Sequence, residues 1–446
     1  MIRLNAFDMA CPGHIQQGMW THPRDRSHEY ARLGYWTELA RLLERGLFDG
    51  LFLADVLGVY DVYGGEAGAA LRGGVQVPLL DPLMLVPAMA AVTRDLGFGV
   101  TCNLAYEPPY LFARRMSTLD HLTGGRIGWN VVTGYLDSAA RALGYAEQMR
   151  HDDRYDLADE YMDAVYALWE GSWAEGAVVR DAAGETYAEA ARVRAVKHRG
   201  TQYRISAMHL VEPSPQRTPV LYQAGASPRG RQFAGRHAEC VFLNGTIPGA
   251  VAATVADLRA RAAPRAILVF VGATVVVGRT EAEARALLLE YAEHASAEAT
   301  LAHASASFGI DFARYGMDEP VGAGSGQAIQ SNVAAMARVA GPGWTKRDLL
   351  AQSVLGSRQP PIVGDPAQVA DALAEWVEVS DVDGFNLSRT VMPECLEAFI
   401  ELVVPVLQER GLYKTEYAPG TYREKLFGAG RLLGAGHPAA GFRAGW

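Results

Sequence analysis

"IGWNVVTGYLDSAARALGY" (127–145) decides the fold. It opens as a short apolar, β-branched run, the composition of a buried strand. It then turns polar and aromatic at Asn130, Thr133 and Tyr135 and runs into a loop. A strand that ends by handing polar side chains to a loop is what the working face of an α/β barrel requires.

The same alternation recurs on both sides of this stretch. Strand-like runs fall at 3–9, 51–55, 97–103, 126–133, 219–226, 240–245, 267–278 and 384–388. Helical spacing follows at 35–46, 81–93, 109–125, 154–171, 227–238, 250–262 and 393–411. Alternating strands and amphipathic helices imply βαβ units and a parallel sheet. Eight such repeats predict an α/β fold of the (β/α)8 TIM-barrel type; pattern alone leaves an open doubly wound sheet as the alternative. Residues 1–427 read as one barrel with insertions at 10–33, 56–80, 134–153, 172–218 and 297–360, and 428–446 as a C-terminal arm. Long insertions after barrel strands are where binding loops and lids sit.

Composition narrows the function classes. Of 446 residues, 20% are charged and the formal charge is −9, with no basic run, which argues against nucleic acid. The four cysteines, Cys11, Cys102, Cys240 and Cys395, lie far apart without a CxxC pair, so neither a disulfide framework nor a metal site is expected. The N-terminus meets Asp8 before a signal-peptide core can form. The apolar run "AILVFVGATVVVG" (266–278) is too short to span a bilayer. A soluble, cytoplasmic protein without membrane partners is the expectation.

Common catalytic motifs are missing: HExxH, GxSxG, and a GxGxxG between strand and helix. "GASPRGRQ" (225–232) has the outer glycines of a P-loop but Arg231-Gln232 where Lys-Ser/Thr belongs, so NTP hydrolysis is not expected. Its "AGASPRG" core reads better as an anion site. Ala226 ends a strand, Ser227 follows where an N-cap belongs, Pro228 suits the first turn, and Arg229 is near. An ordinary helix cap is the competing reading. "GAGSG" (322–326) follows no strand and reads as a flexible loop.

Polar residues also converge at the strand ends: Asp55, then Thr101 and Asn103, then Thr133. Thr101 and Asn103 share a face by strand parity. His151 and Tyr155 stand just before a helix start. The loop after the first strand carries Cys11, His14, Trp20 and His22, the next adds Tyr60, Tyr63 and Gln76, and His303 sits in the largest insertion, read as a lid.

The blocks "RRMSTLDHLTGGR", "GRIGWNVVTGYLDSAA", "HDDRYDLADEYMDAVYALWEGSW", "EPSPQRTPVLYQAGASPRGRQFA" and "GLYKTEYAPGTYREKLFG" together resemble the bacterial-luciferase-like flavin monooxygenases. The likeness is to the nitrilotriacetate monooxygenase component A branch, and it runs from about residue 2 to 428. On the active-site loops it is strongest to the long-chain alkane and dimethyl-sulfide enzymes. The resemblance implies reduced FMN from a separate NAD(P)H-dependent reductase, O2 as cosubstrate activated as a flavin (hydro)peroxide, a small organic substrate, and a homodimer or homotetramer. It assigns Asp55, Thr101, His151, Tyr155 and Ser227 to FMN, with Ser227 at the phosphate; strand parity adds Asn103. It places Cys11, His14, Tyr60, Gln76 and His303 on the substrate side. Tyr135 departs from the alkane enzyme, which has His there, and matches the dimethyl-sulfide enzyme. On this reading His14 and Tyr60 bond the activated or substrate oxygen while Tyr135 and Gln76 orient the substrate. Alternatives are cleavage of a C–N, C–S or C–Cl bond, riboflavin included, deazaflavin-dependent hydride transfer, and non-catalytic flavin binding.

Overall fold

A computed structural model describes residues 1–225, 227–245, 247–321, 336, 341, 343–356 and 360–443. Eight parallel strands close on themselves: β1 (Arg3–Met9), β2 (Gly50–Ala54), β3 (Gly97–Asn103), β4 (Ile127–Val132), β5 (Val220–Gln223), β6 (Cys240–Leu243), β7 (Leu268–Val277) and β8 (Gly384–Ser388). β8 pairs with both β7 and β1, which closes the ring and removes the open-sheet alternative.

The strands bury both faces, as parallel barrel strands must. Phe7, Phe52, Tyr222, Phe242 and Phe270 fill the interior. Phe7 packs edge-on against Phe52 and Phe242 at ring separations of 5.6 and 4.9 Å. Large rings need small partners in the same layer. Gly128 supplies one, since a Cβ there would come within 3.1 Å of the Tyr222 ring. The bottom of the barrel is closed by the helix Tyr422–Phe427, whose Tyr422 hydroxyl lies 2.5 Å from that of Tyr222.

Most helices stand where the periodicity puts them, with ends differing by a few residues. The helix His151–Gly171 begins three residues earlier than expected, so His151 is its first residue and Tyr155 lies within it. Asp152 and Asp153 occupy its first turn, where the helix dipole favours carboxylates. The chain before β8 carries structure that strand–helix counting passes over: helices Glu281–Glu293 and Pro366–Ser380, and a short strand, Ile362–Gly364, paired with the end of β7.

The insertions are structured as well. Residues 172–218 hold two antiparallel hairpins. The stretch 134–153 holds a short helix, Asp137–Ala142. The 297–360 stretch starts with the helix Ala297–Phe308, which is mostly buried rather than a loose flap. The segment 428–443 packs onto the barrel: His437 is buried and bonds the His237 carbonyl at 2.9 Å, and Arg443 pairs with Glu170. Among the described residues no helix is long and apolar enough to cross a membrane. The "GAGSG" loop and Ala226 lie outside the described residues.

Candidate active site

The C-terminal ends of the strands surround a cavity of about 180 Å³. One side is apolar, formed by Phe7, Met9, Ile15, Ala54, Val56 and Phe242. The other carries His14, Tyr60, Gln76, Tyr135 and His303, drawn from four separate segments, with Asp55, Asn244 and Ser388 on the rim.

The polar wall is a chain of hydrogen bonds. Gln76 Nε2 donates to the His14 carbonyl at 3.2 Å and lies 3.2 Å from His303 Nε2. Its Oε1 accepts from the Tyr60 hydroxyl at 2.6 Å, and that hydroxyl lies 2.6 Å from the Tyr135 hydroxyl. A carbonyl only accepts, so the His14 oxygen fixes which end of the amide is which. Tyr60 must then donate to Gln76, and Tyr135 to Tyr60. Gln76 also has a backbone φ of 52°, rare for a non-glycine residue and typical of positions held for a purpose. Its amide is pinned to the Gly13 carbonyl at 2.8 Å.

His14 is buried, and its ring meets Phe7 edge-on at 4.5 Å. Burial first, then the Arg389 charge and His303, hold it well below the usual imidazole range, so it is neutral. Its Nδ1 has no hydrogen-bond partner. Asp55 follows β2, and its carboxyl is pushed up to about 7 by burial and by Asp81, against the Val56 amide.

Cys11 is a correction. It does not line the cavity; it is fully buried behind the wall and donates through Sγ to the Gly13 carbonyl at 3.3 Å. Burial pushes its thiol up to about 12, which leaves no thiolate for chemistry. The loop 10–33 turns this side chain inward, which a sequence reading without strand parity has no means to see.

A second polar cluster lies where β5 meets the helix Pro228–His237. Ser227 caps that helix, its Oγ accepting from the Gly230 amide at 3.0 Å, and His151 Nε2 lies 3.3 Å from the same Oγ. Both Gly225 and Gly230 sit against the Tyr155 hydroxyl; a Cβ would fall 2.6 and 2.8 Å from it. The backbone there packs too closely against Tyr155 for a side chain, next to the N–H groups that open the helix. Arg229 differs from expectation. It is bound to Asp156 and Asp159 at 2.9 and 2.6 Å and stacks over Tyr155, so its charge is already matched by carboxylates.

Inside the barrel mouth Asn130 donates to Thr101 Oγ1 at 2.9 Å, while its own Oδ1 is buried without a partner. Asn130, the first polar residue in the stretch 127–145, stands in register opposite Thr101. Asn103 Oδ1 accepts from the Ala105 amide at 2.9 Å, and its side chain packs beside Gly134. Thr133 stands just past β4, partly buried. Asn244 and Ser388 are further rim residues, each beyond or at the end of a strand.

A buried barrel mouth with an orphaned amide oxygen, a capped helix start beside it and a neutral histidine wall fits a phosphate-bearing aromatic cofactor. The family model for luciferase-like monooxygenases matches residues 8–382. The chain belongs to the luciferase-like monooxygenases. It is 48% identical to a long-chain alkane monooxygenase of Geobacillus thermodenitrificans, over 99% of this chain and 98% of that one. Identity to a dimethyl-sulfide monooxygenase of Hyphomicrobium sulfonivorans is 45%, over 99% and 94%. Among solved structures, a riboflavin lyase with modified FMN and substrate riboflavin superposes with a TM-score of 0.93 at 38% identity, covering 99% of each chain. This luciferase-like monooxygenase thus shares its barrel and its length with relatives whose substrates differ widely.

Proposed function

We propose that the chain is the oxygenating component of a two-component system, using reduced FMN from a separate reductase to oxygenate a small, uncharged apolar or thioether substrate. The observation that carries this is the cavity itself. It is apolar on one side and hydrogen-bonding on the other, and among its described lining residues there is no Lys or Arg to receive an anionic substrate. Its volume of about 180 Å³ is below the range of drug-sized pockets, which favours a small molecule.

Ser227 and His151, with the amides that open the helix Pro228–His237, would hold the FMN phosphate. Asn130, Thr101 and Asp55 would face the ring at the barrel mouth. When bound, reduced FMN supplies the electrons with which O2 is activated. The protein's share is to orient and to exclude water. Neutral His14 presents an imidazole without charge, Gln76 holds Tyr60 and His303 in place, and Phe7, Phe242 and Val56 keep the cavity dry. Tyr135 anchors the outer end of the chain of hydroxyls, where it meets the substrate.

The structural likeness to the riboflavin lyase favours a second reading, in which a flavin is the substrate. One experiment separates the two. The protein is supplied with reduced FMN and O2 and offered dimethyl sulfide, a medium-chain alkane, a sulfone and riboflavin in turn. Gain of one oxygen atom on the sulfide or alkane supports the proposal; loss of the ribityl chain from riboflavin supports the alternative. Turnover without O2 uptake would reject both.

A further inference from the structure

Behind the cavity wall lies a buried charge pair that is not among the residues lining the cavity. Asp8 is the penultimate residue of β1 and Arg389 the first residue after β8, on neighbouring strands of the closed ring. Both are almost fully buried, and Arg389 Nε lies 3.1 Å from Asp8 Oδ1. The guanidinium uses Nη2 for a different purpose: it donates to the carbonyls of Cys11 and Pro12 at 2.7 and 2.9 Å. Asp25 grips the same loop from its far end, accepting from the Ser27 and Met392 amides, each at 2.8 Å. Ser27 in turn donates to the Pro12 carbonyl at 3.0 Å.

These contacts converge just before the cavity wall. Two residues past Pro12 is His14, whose carbonyl accepts from both Gln17 and Gln76. Between them Gly13 exchanges backbone bonds with Gly74 and Gln76, at 3.0 and 2.8 Å. A shift of the Cys11–Pro12 carbonyls therefore moves the His14 ring, its carbonyl and the Gln76 amide as one body. A buried ion pair is poor evidence of stabilisation but a good device for fixing geometry, because leaving either charge alone is costly. A planar guanidinium holds a carboxylate and two carbonyls at fixed spacing through separate nitrogens, whereas an ammonium offers a single point charge on a flexible stem.

Resting on the reading of His14 and Gln76 given above, we propose that Arg389, held by Asp8, is a positioning residue for oxygenation. It clamps the loop after β1 onto the end of β8 and so sets where the His14–Gln76 wall stands. Ser388, the neighbour of Arg389, lines the cavity, so the clamp sets both sides of the site from one anchor.

Hydrogen exchange of the full-length, ligand-free chain tests the clamp directly. In Arg389→Lys, exchange should rise within 10–18 and 73–77 and stay unchanged in the strands. Unchanged exchange in those segments would overturn the proposal, and so would loosening spread over the whole barrel. If Arg389→Lys does not fold, the neutral pair Asp8→Asn with Arg389→Met replaces it, judged by the same pattern. With reduced FMN, O2 and dimethyl sulfide as probe, the ratio of product to hydrogen peroxide should drop roughly ten-fold, since small misplacements at a reacting centre are expensive. FMN affinity should be unaltered. Against a His14→Phe background the same change should add less than about two-fold, because the effect runs through His14. Full multiplication of the two losses would refute the route proposed. His14→Phe without any effect would instead remove the reading of the wall, and the proposal with it.

Discussion

Gln76 Nε2 donates to the main-chain oxygen of His14 at 3.2 Å, and this contact gives direction to every other bond in the wall. The amide can turn only one way, so the Tyr60 proton goes to Gln76 and the Tyr135 proton to Tyr60.

Gln76→Glu keeps the shape and removes the donor. The His14 carbonyl then loses a partner, and the new carboxylate needs a proton on itself or on the facing His303 nitrogen. Activity should fall roughly ten-fold or more, because a buried acceptor loses its donor. Turnover equal to that of the parent would contradict this direction of bonding.

Asp55 links the site to stability. Its carboxyl is pushed up to about 7 by burial and Asp81, above the unfolded value. The folded chain therefore keeps a proton that the unfolded chain releases as pH rises from about 4 to 7. Its contribution to stability falls through that window and stays low above it. Asp55→Asn should be more stable than the parent at pH 8, on the order of 2 kcal/mol because cavity water screens part of the cost, and equal to it near pH 4. Urea unfolding at the two pH values measures the difference; a gap that widens towards acid would reverse the sign.

Ser227 serves as helix cap, and its two roles come apart by substitution. Ser227→Asp keeps a good cap, whereas Ser227→Ala loses one and should cost about 1 kcal/mol. The anion site responds in the opposite order. The aspartate should weaken FMN binding severely by repelling the phosphate, and the alanine only modestly. Thermal melts and FMN titration of both variants together check the pair of trends.

The barrel floor makes a structural prediction independent of chemistry. A Cβ at Gly97 would fall 2.3 Å from the Tyr422 ring, which is buried and pinned through Tyr222. Gly97→Ala should destabilise by about 2 kcal/mol, the scale of overpacking. Tyr422→Phe should cost about 1 kcal/mol for the lost hydroxyl bond. The two together should cost less than their sum if both act on the same plug, as chemical denaturation of the double variant will show.

The strands were readable because continuous apolar, β-branched runs between Gly and polar breaks have few other uses. "GFGVTCN" and "GFNLS" coincide with β3 and β8 residue for residue. The start of the helix at His151 was harder to see, since Arg150 caps it without a side-chain bond and so leaves no cap signature. Tyr60, Gln76, Tyr135 and His303 were legible as polar residues on long insertions, but not as one hydrogen-bonded chain, which exists only once three distant segments meet. Asp8 and Arg389 gave no signal at all. Each is a single charge at a strand end, and only closure of β8 against β1 brings them together. Cys11 shows the converse: a loop position says nothing about which way a small side chain turns.

The central claim is that FMN lies across the barrel mouth with its phosphate at the start of the helix Pro228–His237. A crystal structure of the FMN complex tests it most directly. The account predicts phosphate oxygens within hydrogen-bond distance of Ser227 and His151, and the ring seated over Asn130 and Thr101 with one face towards His14. A phosphate bound elsewhere, or a ring seated away from Asn130 and Thr101, would contradict it.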